Sequence, residues 1–155
     1  MELEEKPSFS ISKYFDFFIV NETVLIQNKQ QFESLLSYKA AHILDFKVMQ
    51  ADPEFNGIFS DMAHLVEYVG TNKMQLRRVS AIKQKQYYKN PAFITSLKDN
   101  HAEFGLSIEF DVDGKIKPTP ESCKDIFQAL LDYRLKSHFS QNIYDVQNTV
   151  NITIN

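Results

Sequence analysis

Between Glu67 and Asp99 the chain has no acidic residue, yet Lys73, Arg77, Arg78, Lys83, Lys85, Lys89 and Lys98 supply seven positive charges there. A fold that contains this block must either turn its cations to water or cover them with carboxylates from elsewhere. The flanking segments offer the second option. Residues 1–67 carry 5 Lys against 11 Asp plus Glu, net −6, and residues 99–155 carry 5 Lys plus Arg against 9 Asp plus Glu, net −4. With +7 between them the total is −3. Low net charge therefore does not argue against an anionic partner, because a basic patch acts within about one Debye length, roughly 8 Å at physiological salt.

The block reads as helical. Counting about 100° per residue from a start after Asn72 places Lys73, Arg77, Arg78, Lys85 and Lys89 within an arc of roughly 160°. Leu76, Val79, Ile82 and Tyr87 fall on the opposite side. Lys83 also falls there, so either the helix ends early or the Lys83 stem lies along the core with its ammonium in water. Arg77 and Arg78 suit bidentate contact with phosphate, the lysines act as point charges, and Tyr87 and Tyr88 could stack on bases or hydrogen-bond phosphates, although core packing at the helix end is the preferred reading for at least one of the two. The candidate nucleic-acid-binding set is thus Lys73, Arg77, Arg78, Lys83, Lys85, Tyr88 and Lys89. The competing reading is a solvated lysine-rich face covered by ion pairs of about 0–1 kcal/mol each.

At 155 residues, the expectation is one α+β domain over residues 1–155, with 1–8 frayed and 147–155 a tail strand or disordered. Its architecture reads as an N-terminal β-hairpin and a second small hairpin packed with about four to five helices. The first hairpin is expected from Phe9–Val20 and Thr23–Gln27, with Asn21-Glu22 as the turn. A long helix follows from an Asn28 cap to Asp52. Residues 53–57 read as a loop, and Ile58 to Val69 as a short amphipathic helix stopped by Gly70. Asn90-Pro91 opens a helix toward Gly105, and Leu106, Ile108 and Phe110 lead to an Asp113-Gly114 hairpin turn. A last helix runs from Thr119 through Leu135.

Most signatures of chemistry are missing. The four glycines stand at no phosphate-loop spacing, and His42, His64, His101 and His138 form no metal-ligand pattern. Cys123, the lone cysteine, reads as a small buried hydrophobe and points to a reducing compartment. No signal peptide or membrane-length apolar run is evident, so a cytoplasmic protein without direct membrane insertion is expected. No cofactor or metal is expected, and no enzymatic activity. Glu109, Asp111, Asp113 and Lys115 would be the only candidates for a metal-dependent nuclease centre, and a solvated hairpin explains them as well.

The ordered landmarks Tyr14 to Ile19, Glu67-Tyr68-Val69-Gly70-Thr71-Asn72, Leu76-Arg77-Arg78, Tyr87-Tyr88 and Ile108-Glu109-Phe110 with its Asp-Gly turn resemble the KwaB family. That family provides the soluble component of the Kiwa anti-phage defence system, and the chain is similar to the C-terminal half of its longer members. The resemblance implies double-stranded DNA as a ligand, a homodimer, and a membrane-embedded partner subunit able to recruit the protein to the inner membrane. On this reading the chain contacts the phosphate backbone with little sequence specificity, and five phosphates would give a log–log salt slope near −4.5. The alternative is a protein-interaction module whose basic face docks an acidic partner surface.

Overall fold

A computed structural model describes residues 17–28, residue 32 and residues 38–147. The fold is α+β, and the chain divides into two compact units, Met1–Lys39 and Ala40–Asn155. In the first unit, β1 (Phe17–Val20) pairs antiparallel with β2 (Thr23–Ile26), matching Phe17 to Ile26 and Val20 to Thr23. Asn21 and Glu22 both take positive φ, 47° and 65°. This is the twist a two-residue hairpin connection demands, and Asn tolerates it better than most residues. Phe17 meets Phe32 edge-on at 5.0 Å. The part of the expected first strand before Phe17 lies outside the described residues, as do residues 1–8 and the tail from residue 148.

Helix α1 (Tyr38–Ala51) contributes all but its first two residues to the second unit. His42, Phe46 and Met49, spaced four and three apart, face inward, while Leu44 and Val48 remain exposed. The expected start of this helix, around Asn28 to Leu36, falls largely outside the described residues. Residues 53–57, expected as a loop, instead form α2 (Pro53–Gly57). Asp52 explains the difference: its carboxylate accepts from the Glu54 N–H at 2.9 Å, and Pro53 opens the turn. Phe59 was expected on a helix but forms a parallel bridge with Ile116. The Ile116 N–H donates to the Ile58 carbonyl at 2.8 Å, which ties this segment to the later hairpin. Only from Ala63 does α3 (Ala63–Val69) run, burying Leu65 and Val69 before Gly70 turns the chain with φ 42°.

The basic block forms α4 (Lys73–Lys85), started by Asn72, whose side chain accepts from the N–H groups of Met74 (2.9 Å) and Gln75 (3.4 Å). Asn72→Ala leaves two first-turn donors without this acceptor. It is expected to lower unfolding stability by about 1 kcal/mol in urea titration, a loss that Asn72→Asp or Asn72→Ser should largely restore. Leu76, Val79 and Ile82 enter the core from α4. A left-handed Gln86 (φ 55°) ends the helix, and Tyr87–Lys89 continue as a single 3-10 turn. The expected continuation of the helix through Lys89 is therefore wrong, and Lys89 leaves the helical arc.

Asn90 caps α5 (Pro91–Asn100) by accepting from the Ala92 N–H at 3.0 Å. The second hairpin pairs β3 (Glu109–Phe110) with β4 (Ile116–Lys117). The chain then enters α6 (Cys123–Leu130), the most buried helix, with Cys123, Ile126, Phe127 and Leu130 all sealed in the core. The expected extension of α6 through Leu135 is corrected by the structure. Asp132 turns left-handed (φ 55°), and Arg134–Lys136 become β5, paired with β6 (Ile143–Asp145). Sequence reading missed this third hairpin. Its signal was the run Ser137 to Asn142, polar but for Phe139, which holds no helical apolar period.

Candidate functional site

Helix α4 presents its apolar side to the core and leaves Lys73, Met74, Arg77, Arg78, Ala81, Gln84 and Lys85 along the other side. The helical period is thus as expected. Packing decides which of the block's cations stay on that face.

Lys83 points toward α1. Its ammonium lies 2.5 Å from Asp45 Oδ1, and Asp45 Oδ2 accepts from the Ser80 hydroxyl at 2.7 Å. Because Ser80 gives its one hydrogen to Asp45, its oxygen accepts from Nδ1–H of the buried His42, 2.7 Å away. Burial by itself would raise the Asp45 carboxyl, but the hydrogen bonds from Lys83 and Ser80 and the Lys83 charge outweigh it and hold the group below its ordinary range. The stem along the core and the charge at its edge are the snorkelling arrangement anticipated for Lys83.

Lys89 is claimed by a second acidic pair, with Nζ 2.6 Å from Glu54 and 3.7 Å from Asp52. Asp52 also accepts from the Tyr88 hydroxyl at 3.0 Å. Tyr88 is only 4% exposed and packs edge-on against Phe55. Its ring is a core element, which removes the base-stacking role expected of it. Burial, then the hydrogen bond to Asp52 and that carboxylate's charge, push the Tyr88 hydroxyl up to about 12.

Lys85 donates to the Leu131 carbonyl at 2.7 Å, with its ammonium 4.9 Å from the Tyr133 ring centre and 5.5 Å from that of Tyr87. It works as a strut between the end of α4 and the end of α6. Tyr87 stacks on Phe93 at 5.2 Å. Lys98 leans on the second hairpin, where a Cβ at Gly114 would meet its ammonium at 2.6 Å. Gly114 also has φ 77°, so it is the backbone that keeps the position glycine, while the flexible Lys98 ammonium can swing aside.

Lys73, Arg77 and Arg78 lie half-buried along the outer arc of α4, with Arg77 Nε buried and Arg77 itself engaged within the fold. Arg78 also reaches Gln75 Oε1 at 3.5 Å. Beside the exposed Met74, this side of α4 thus carries Lys73, Arg77 and Arg78, together with Lys85, whose ammonium is tied to the Leu131 carbonyl.

The other candidates are placed as follows. The Asp111 carboxylate accepts from the N–H groups of Asp113 (2.9 Å) and Lys115 (2.8 Å) and holds the hairpin turn, while Glu109 pairs with Lys117 at 3.6 Å. Among the described residues no cluster of three or more His, Cys, Asp or Glu side chains could hold a metal ion. Cys123 is fully buried, and burial followed by the charges of Glu121 and Glu67 pushes its thiol up to about 11. It is the small hydrophobe expected. Among the described residues no helix is long and apolar enough to cross a membrane.

A protein-family model described as "Kiwa protein KwaB-like" matches residues 1–140. No curated protein and no solved structure matches the chain.

Proposed function

Because the chain belongs to the KwaB-like family of Kiwa proteins, and is thereby a component of an anti-phage defence system that works with partner subunits, we propose that it binds double-stranded DNA through the outer face of α4. The observation that supports this is the clustering of the half-buried Lys73, Arg77 and Arg78 along the outer arc of one capped helix, in a segment free of acidic residues. Arginine forks grip phosphate oxygens in two-point contacts, and Lys73 one turn before Arg77 adds a charge that follows the same strand. No groove-reading motif accompanies them, so the contact is to the backbone and indifferent to sequence. The protein acts here as a binding component, cytoplasmic and homodimeric, held near the membrane by a partner subunit.

Anisotropy titration of a random-sequence duplex across a salt series tests this reading. Three phosphate contacts predict a log–log slope of about −2.7, and the double variant Arg77→Ala/Arg78→Ala should bring it to about −0.9. Affinity at low salt should fall at least roughly tenfold, equally for every duplex sequence. Lys83→Ala and Lys89→Ala should leave the slope unchanged, since their charges are engaged by Asp45 and by Asp52 with Glu54. An unaltered slope in the arginine double variant sinks the proposal.

The exposed Met74 among these cations favours one other reading, a face that docks an acidic protein surface. Association that weakens with salt, together with absence of duplex binding, is the result that would select it.

A further inference from the structure

We infer that the β5–β6 hairpin carries a wedge for duplex DNA, with the Phe139 ring entering the minor groove between two base pairs. Phe139 stands in the loop that joins Lys136 to Ile143 and is 96% exposed. The loop that holds it out is fixed by its own bonds. The Ser137 N–H donates to the Asn142 carbonyl at 2.9 Å, the Gln141 N–H to the Ser137 carbonyl at 3.0 Å, and the Ser140 N–H to the Ser137 hydroxyl at 3.2 Å. The ring gains little from this order. It meets the His138 ring edge-on at 5.8 Å and stands otherwise in water. A phenyl ring presented by an ordered loop has its apolar surface still to bury, and the order of the loop lowers the entropy lost on contact.

The surroundings decide what buries it. From Ser137 to Tyr144 there is no acidic residue, and the loop side chains around the ring are hydroxyls, amides and an imidazole. Such groups donate to the base-edge acceptors of the minor groove and repel no phosphate. Val112, on the second hairpin, is equally exposed but stands between Asp111 and Asp113, whose carboxylates oppose a phosphate backbone. It has the apolar surface without the setting.

The hairpin also grows from the end of the basic arc. Lys85 follows Arg78 by two turns on the same side of α4, and its ammonium lies 4.9 Å from the ring of Tyr133, the residue before β5. The helix rises about 10 Å from Arg78 to Lys85, and the chain from Tyr133 to Phe139 spans at most about 20 Å. Both steps and the contact that joins them fall inside two turns of duplex, about 34 Å each. One bound segment therefore meets the arginines and the ring. A ring between base pairs bends the duplex, and pyrimidine–purine steps yield most easily. The wedge adds a preference for deformable sequence that phosphate contacts alone do not have.

This inference rests on duplex binding through α4, and the two fail differently. Anisotropy of the full chain on a duplex with a central TA step, with end-to-end energy transfer to report the bend, tests both. Phe139→Ala should weaken binding at least about tenfold and abolish the bend, yet keep the parent salt slope, because the ring touches no phosphate. Phe139→Leu retains an apolar wedge and should recover most of both, whereas Val112→Ala should match the parent. If Arg77→Ala/Arg78→Ala flattens the slope while Phe139→Ala binds and bends as the parent does, the wedge is overturned and the α4 reading stands. Tenfold weaker binding with the bend intact also overturns it, since the ring would then lie along the groove. Absence of duplex binding by the parent overturns both and assigns the ring to a protein pocket.

Discussion

Phe127→Ala should lower the unfolding free energy by about 3–5 kcal/mol, the range for removing a fully buried phenyl ring. Phe127 is 2% exposed at the centre of α6 and meets the Tyr68 ring of α3 edge-on at 5.4 Å. Tyr68 in turn accepts from Gln75 Nε2 at 3.1 Å, on the first turn of α4. One ring therefore supports the helix that carries the basic face. Domains of this size are stable by about 5–15 kcal/mol, so the variant should sit near the edge of folding at 37 °C. Urea titration with circular dichroism measures the loss. A midpoint shift corresponding to less than about 1 kcal/mol would mean that the site collapses around the vacancy and that α6 is not the keystone of this core.

Raising the pH from 10 to 12 should remove roughly 2–3 kcal/mol through Tyr88 alone, given that each unit of pKa difference is worth about 1.4 kcal/mol. The folded hydroxyl is pushed up to about 12 from an ordinary value of 10.0. A group whose folded pKa is raised contributes its full stabilisation below the unfolded pKa, so this contribution is intact below pH 10 and disappears as the pH climbs through 12. Ionisation would set a phenolate against the Asp52 carboxylate, 3.0 Å away and out of reach of most water. Tyr88→Phe isolates the effect from other titrations. It should be less stable than the parent at pH 8, where the hydrogen bond to Asp52 is lost, and the gap should close by pH 12. A gap that stays constant across this range would show that Tyr88 does not titrate in the folded protein as its surroundings require. The acid side has the opposite sign. Asp45 and Asp52 are held below 3.8, so the stability they contribute is complete above that value and is lost as the pH falls through their lowered folded pKa values.

Much of the second unit was legible because its signals are local. Asn72 and Asn90 announce the starts of α4 and α5 through side chains that reach N–H groups two or three residues ahead. Asp113-Gly114 places the second hairpin, and Asn21-Glu22 the first. The missed elements needed longer reach. Phe59 has the spacing of a helical apolar residue, yet its backbone pairs with Ile116, 57 positions later. Arg134 to Lys136 carry charges suited to a helix end, yet they pair with Ile143 to Asp145 because Asp132 turns the chain.

The candidate face divides in the same way. Local signals make the block a helix, set where that helix starts and say which side turns outward, since these follow from the 3.6-residue period and a cap within one turn. Which partner each cation of the block meets is set by long-range packing instead. Asp45 reaches Lys83, Asp52 and Glu54 reach Lys89, and the Leu131 carbonyl reaches Lys85, across separations of 38, 37, 35 and 46 residues. A charge count along the chain weights every lysine equally. Electrostatic attraction depends on distance in space, and that distance is set by how α1, α2 and α6 pack around α4.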